Sequence, residues 1–273
     1  MDHIGMAGRI IGLSLEALRF LFPVECAACG RPLSTDPIPF FCHDCWYRIA
    51  PFRRPSCARC DQPFVSEAAT SHTPDRHGQD CEKRAPAYHR AWTLYLYVPP
   101  LQDAIRLFKY RGKVALARPL ADLMIADLPK NLDFDVILPV PLHQGRLRAR
   151  EFNQSLLLTD QLARHLSRPV SVNNLVRSVA TDPQTTLPRR ARLQNLRKAF
   201  AVRKPHGIVD QRILLIDDVF TAGTTVNECA KALKKVGAAS VTVLTLAWTV
   251  DASLVPDHIF AEHAPSPLTA IGV

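Results

Sequence analysis

Residues 213–225 read Ile213-Leu214-Leu215-Ile216-Asp217-Asp218-Val219-Phe220-Thr221-Ala222-Gly223-Thr224-Thr225, and the rest of the chain is best read outward from them. Four consecutive apolar residues describe a strand buried on both faces, as in a parallel sheet. Two carboxylates stand at its mouth, and a short run of small and hydroxyl-bearing residues leads from there into a helical pattern. At such a strand-to-helix turn the N–H groups of Ala222, Gly223 and Thr224 converge and hold a phosphate. The hydroxyls of Thr221, Thr224 and Thr225 add donors. Gly223 lets the backbone come close. Asp217 and Asp218 accept hydrogen bonds from vicinal sugar hydroxyls. A phosphate beside a sugar diol describes a phosphoribosyl group. A simple helix cap explains the threonines alone, but not the combination of apolar strand, paired Asp and Gly-Thr-Thr turn.

That combination resembles the signature of type I phosphoribosyltransferases and related pyrophosphate-sugar binders. No Walker A sequence and no GxGxxG competes with it. The flanking texture agrees. Residues 91–98, 135–140, 212–216 and 240–247 read as strands, and 101–109, 115–128, 153–166 and 224–236 as helices. Their alternation predicts an α/β fold, a parallel sheet with helices on both faces and its site at the strands' C-terminal ends. This domain is expected over 89–248. Residues 249–273, with three prolines and no clear period, are expected to be a loosely attached tail.

Seven of the eight cysteines lie between positions 26 and 81, as Cys26-x2-Cys29, Cys42-x2-Cys45, Cys57-x2-Cys60 and then Cys81. A CxxC knuckle converges two thiolates on one metal, and two knuckles complete a tetrahedron. Residues 24–88 therefore read as a small zinc module in which the metal replaces a core that so short a segment cannot build. Cys26, Cys29, Cys42 and Cys45 are the nearest four-ligand set. Cys57 and Cys60 need partners; Cys81 is one and His77 the natural fourth, with His43, His72 and His89 as competitors. Pairing of the first knuckle with the third stays open. Four cysteines on one metal leave no position for substrate, so the zinc is expected to be structural. Cys229, alone on an apolar helical face, reads as a packed thiol.

The charge is equally uneven. The chain of 273 residues carries a net +9, yet residues 141–212 alone hold 14 Lys/Arg against 4 Asp/Glu, a balance of +10. That points to phosphate-bearing partners, nucleotides or nucleic acid, as the alternative to a merely solvated basic face. The composition, 47% hydrophobic and 22% charged, is that of a globular protein. No run of about 18 apolar residues exists for a membrane span. Residues 1–23 include apolar positions at helical spacing, read as a docking amphipathic helix rather than a signal peptide, because Glu16 and Arg19 interrupt the run and no small-residue cleavage site follows. The expected compartment is the cytosol.

Taken together, residues of about 24–248 resemble the ComF family, a cysteine-rich zinc module followed by a phosphoribosyltransferase-like domain. Phe108-Lys109-Tyr110-Arg111-Gly112 is similar to its F-K-Y/F-x-G segment, and Pro139-Val140-Pro141-Leu142 to the loop that faces pyrophosphate in this fold. Arg146-Leu147-Arg148-Ala149-Arg150-Glu151-Phe152-Asn153-Gln154 is similar to its R-x-R-x-G-F-N-Q, with Glu151 where the family usually has Gly. An ion pair within the basic run would accommodate that acid. Thr181, Gln184, Leu187, Arg192, Asn195 and Phe200 follow a further stretch, expected to be a mobile loop over the site. Of a frequent fourth cysteine pair only Cys81 remains.

The resemblance implies a PRPP-type ligand with Mg²⁺, held by Asp217, Asp218 and residues 221–225, and an association with DNA uptake in natural transformation and with other competence proteins. Cations near the leaving pyrophosphate would then be Lys109, Arg146, Arg148, Arg150 and Arg192. Whether transfer occurs stays open, since no residue pattern defines an acceptor base. The alternatives are a single-stranded DNA-binding protein using the basic segment, in which only Phe152 and Phe200 are aromatic, and a nucleotide sensor.

Overall fold

The computed structural model describes residues 24–33, 35–53, 55–64, 77–177 and 199–249. The expected N-terminal helix, Arg192 with the loop around it, and residues 250–273 lie outside the described residues.

Two short helices, α1 (His43–Tyr47) and α2 (Gln79–Lys83), belong to the cysteine-rich segment. Then come β1 (Arg90–Leu96), α3 (Leu101–Tyr110), a 3₁₀ turn at Val114–Leu116 and α4 (Ala117–Ala126). The chain continues through β2 (Val136–Pro139), α5 (Gln144–Arg150), α6 (Gln154–Leu166), β3 (Leu175–Arg177) and β4 (Phe200–Val202). It closes with β5 (Arg212–Phe220), α7 (Thr224–Lys235) and β6 (Ser240–Trp248). The four long-range strands form one parallel sheet in the order β1-β6-β5-β2, while β3 and β4 pair antiparallel beside it.

Strand periodicity divides the core between two faces. Leu214, Ile216, Leu244 and Leu246 pack with Ile105 and Phe108 of α3, Leu120 and Met124 of α4, and Leu158 and Leu162 of α6. Ile213, Leu215, Val241 and Val243 pack on the other face with Val226, Cys229 and Leu233 of α7. The expected α/β sheet with helices on both faces is thus present, and Cys229 is a fully buried core thiol.

One boundary differs from expectation in a way that builds the site. β5 runs to Phe220 rather than ending at Ile216, because Asp217, Val219 and Phe220 stay registered with Thr245, Ala247 and Trp248 of β6. On its other side β2 stops at the pair Pro139–Ile216. From Asp217 onward one edge of β5 is therefore open.

The cysteine-rich segment is part of the same body. Its first ribbon contributes Cys26, Phe41, Cys42, Cys45 and Trp46 to the α3/α4 core. Its second ribbon covers the outer edge of β1, which would otherwise expose unpaired backbone. Phe52 N–H donates to Leu94 O (2.9 Å), Ala91 N–H to Arg59 O (2.7 Å), and Thr93 N–H to the Asp61 carboxylate (2.8 Å).

Glu151 has a different explanation from an ion pair, none of which it makes among the described residues. It caps the C-terminus of α5 in the left-handed region, φ +65°, with its N–H on Leu147 O at 2.7 Å. That conformation favours glycine, which the family usually has there. Glu151→Gly is expected to stabilise the protein by about 1 kcal/mol, seen as a rise of about 2–4 °C in the thermal midpoint.

Candidate functional site

The 221–225 loop leaves β5 and enters α7 through Gly223, whose φ is +67°. A Cβ at Gly223 would stand 2.6 Å from Cζ of Phe220, so both the backbone conformation and the neighbouring ring favour glycine here. Thr221 and Ala222 are exposed, and Gly223 O accepts from Asn227 N–H at 2.9 Å as the helix begins. The loop thus presents the N-terminus of a 12-residue helix toward solvent, the geometry an anion requires.

Just before it, at the open edge of β5, stand the two carboxylates. Asp217 Oδ1 accepts from Ser155 Oγ (2.9 Å) and from the N–H of Asp218 (3.0 Å). Asp218 is buried, and its Oδ1 pairs with Lys109 Nζ at 2.8 Å. Among the described residues no hydrogen bond occupies Oδ2 of either group. Burial, reinforced by the Asp218 charge and opposed by Lys109, raises the Asp217 pKa to about 7. Burial disfavours the Lys109 ammonium, but Asp218 and then Asp217 more than offset it and hold it above the ordinary lysine range.

The remaining expected residues are spread around this mouth. Lys109, from the last turn of α3, lies at the carboxylates rather than free in solvent. Pro139, Val140 and Pro141 leave β2 beside Ile216, whose carbonyl accepts from Val140 N–H (2.9 Å). Arg146 and Arg148 are exposed on α5, and the Arg150 guanidinium stacks over the Tyr110 ring at 4.7 Å. Asn153 ties this region together. It caps α6 by accepting from Ser155 N–H (3.0 Å) and donates to Val140 O (3.1 Å). Ser155 was not among the expected site residues. Its signal was the Asn at an N-cap position, which fixes the orientation of the first helical turn.

The cysteines form two clusters, the first of Cys26, Cys29, Cys42 and Cys45, the second of Cys57, Cys60 and Cys81. The first knuckle therefore pairs with the second, not with the third. Zn–S bonds of about 2.3 Å in a tetrahedron imply sulfur separations of about 3.8 Å. Cys29 Sγ and Cys42 Sγ are 3.8 Å apart and all four sulfurs lie within 4.8 Å of one another, a set that fits a zinc ion. Although burial disfavours the Cys26 thiolate, backbone N–H groups led by that of Cys42 bring its pKa down to about 7. Cys57 behaves likewise, through the N–H groups of Cys60 and Gly78.

The ribbons are structural repeats. Glu25-Cys26-Ala27-Ala28-Cys29-Gly30-Arg31-Pro32 and Ser56-Cys57-Ala58-Arg59-Cys60-Asp61-Gln62-Pro63 form the same knuckle, with Gly30 and Asp61 both in the left-handed region (φ +74° and +60°). Cys42 N–H donates to Cys26 Sγ (3.4 Å), and Gly78 N–H donates to Cys57 Sγ (3.2 Å). Gly78 therefore holds the place of the fourth cysteine. His77 does not join the three sulfurs within the 4.8 Å that the clusters span, but its Nδ1 is buried and has no hydrogen-bond partner among the described residues.

Comparisons with known proteins agree with this division. Residues 17–83 match the double zinc ribbon domain, and residues 152–260 match the phosphoribosyl transferase domain. With the two cysteine clusters, this supports structural zinc. Competence protein F of Haemophilus influenzae is 32% identical over 76% of this chain and 89% of its own length. The DNA utilization protein YhgH of Escherichia coli K12 is 31% identical over 82% of this chain and 90% of its own length. Competence protein ComFC of Bacillus subtilis is 25% identical over 86% of this chain and 99% of its own length. With its paired ribbons ahead of a phosphoribosyltransferase-type sheet, the chain belongs to the competence protein F family.

Proposed function

We propose that this protein binds a phosphoribosyl ligand of the PRPP class, with Mg²⁺, at the C-terminal end of β5. One observation carries the reading. The open Oδ2 atoms of Asp217 and Asp218 stand on the unpaired edge of β5, immediately ahead of a loop whose backbone and close packing favour glycine at residue 223. The loop takes the 5′-phosphate and the carboxylates take the diol. The Pro139-Val140-Pro141 turn and the arginines of α5 lie toward the pyrophosphate. Mg²⁺ fits a donor set of one or two carboxylates plus ligand phosphates, and it would neutralise the pyrophosphate charge. Isothermal titration with PRPP and Mg²⁺ tests this. The parent should bind, Asp217→Asn should bind more weakly, and Gly223→Ala should lose at least tenfold. Absence of heat in the folded parent would refute it.

The relatives' names place them in competence and DNA utilization, so the ligand site is read as serving a DNA-handling protein in the cytosol, where thiolate clusters stay reduced. A second reading, single-strand binding on the basic surface, is favoured by Tyr110. Phe152 packs on Phe108 and Phe200 is buried, but Tyr110 is 67% exposed beside Arg150, supplying a stacking ring from outside the basic segment. Binding of a single-stranded oligonucleotide should fall steeply with added salt and weaken in Tyr110→Ala. Salt-insensitive binding would count against it.

The second zinc is assigned His77 as fourth ligand, on the strength of its buried, unpartnered Nδ1 one residue before Gly78.

A further inference from the structure

The sequence concentrates positive charge in residues 141–212, but the cavity that adjoins the phosphate loop draws its cations from elsewhere. That cavity, of about 670 Å³, lies between the second ribbon and the start of α7. Its lining includes Thr221, Ala222, Gly223 and Thr224 of the loop. From the ribbon come Lys83 and Arg84, at and just past the C-terminal end of α2. The buried rings of Tyr88 and Trp248 also line it. The volume is that of a small-molecule pocket.

Charge pairing within it is selective. Lys231 neutralises Glu228 at 2.5 Å. Lys83 and Arg84 are exposed and form no ion pair among the described residues. Their positions are not those of a loose surface loop. Cys81 anchors α2 in the second sulfur cluster, and three residues past Arg84 the N–H of Ala87 donates to Asn227 Oδ1 of α7 at 2.7 Å. The ribbon and the helix that carries the phosphate loop are thus tied on either side of the two cations.

We propose that Lys83 and Arg84 are ligand-binding residues, which take the β-phosphate of a nucleoside 5′-diphosphate whose α-phosphate lies on the 221–225 loop. The inference rests on the phosphate-loop reading above and names the ligand class more closely, as a nucleotide whose phosphate chain continues past the loop, away from the diol at Asp217 and Asp218, neither of which lines the cavity. The zinc ribbon then forms one wall of the ligand site. Arg84 offers a fork of donors to such a group and Lys83 a mobile point charge.

The test compares adenosine 5′-monophosphate with adenosine 5′-diphosphate by isothermal titration against the full-length, zinc-loaded protein. The parent should bind the diphosphate about tenfold or more tightly. Lys83→Ala/Arg84→Ala should erase that preference while its affinity for the monophosphate stays within twofold. The same pair of variants should melt with the parent, since both side chains are exposed. Gly223→Ala should weaken both ligands. Equal affinities in the parent, or a preference that survives in Lys83→Ala/Arg84→Ala, overturns the inference while leaving the loop reading intact. If the parent binds neither nucleotide, the inference falls with this use of the loop, and titration with PRPP decides the earlier reading separately.

Discussion

Cys42→Ser is expected to unfold the first ribbon, halve the bound zinc and shift the emission of Trp46 to the red. The reason is that metal and core are one unit there. Cys26, Cys42 and Cys45 are at most 2% exposed, and they share a core with Phe41, Trp46, and the residues of α3 and α4. Phe41 and Trp46 hold their rings 5.5 Å apart over that junction. A structural zinc of this kind contributes on the order of 10 kcal/mol, against about 5–15 kcal/mol for the net stability of a domain. One missing thiolate therefore removes a large share of the total and leaves buried sulfurs uncompensated. Because the core is continuous, the loss should reach α3 and lower the melting temperature of the whole protein. Cys229→Ser is the control: it is buried in the opposite face and should keep the parent's zinc content. The second ribbon separates the two metals. His77→Ala should lose only the second zinc, and Gly78→Cys in that background should restore it, because a Cβ at Gly78 meets nothing closer than Cβ of Cys57 at 3.8 Å. Full zinc content and unshifted Trp46 emission in Cys42→Ser would rule out a metal-built first ribbon.

How much of this was legible beforehand depended on the range of the interaction. The strand-to-helix turn at 213–225 is local, so its apolar run, Asp pair and Gly were readable directly. The CxxC knuckles are local as well, but which knuckles share a metal is not, and the structure pairs the first with the second. What adjacent residues do not encode is which long-range partner satisfies a polar group. Lys109 was expected among the leaving-group cations, but α3 brings it to Asp218, 109 positions away, because Phe108 beside it is fully buried in the core that also takes Ile216. Asp61 is another case: its carboxylate secures the outer edge of β1 through Thr93 N–H, 32 positions away. Glu151 suggested an ion pair because its charge was visible and its backbone angle was not. The repeat of residues 25–32 and 56–63 is readable in the sequence, but the spacers that follow differ in length, so only the matching N–H···S bonds of Cys42 and Gly78 equate Gly78 with a cysteine.

Lys109→Met is expected to destabilise the protein by about 3–5 kcal/mol, a fall of roughly 10 °C in the melting temperature. Both members of the Lys109–Asp218 pair are largely withdrawn from water, with side chains 15% and 10% exposed. Removing the ammonium leaves Asp218 charged and buried beside Asp217. The penalty comes from that orphaned charge more than from the lost attraction, so Lys109→Met/Asp218→Leu should recover most of the stability, as replacement of a buried pair by apolar groups commonly does. The pH dependence gives a second, independent readout. Lys109 is held above the ordinary lysine range, so its contribution is complete through neutral pH and fades only in strong alkali. Asp217 acts oppositely within reach of ordinary buffers. Its folded pKa of about 7 lies above the unfolded value of about 4, so the folded state holds the extra proton and stability declines as pH rises between those values. Lys109 opposes that shift, and without it the decline should steepen and extend past pH 7. Melting curves of Lys109→Met at pH 5 and pH 8 should therefore differ by more than those of the parent. A single variant that melts within 2 °C of the parent at both pH values would show that the pair carries neither the stability nor the electrostatics assigned to it.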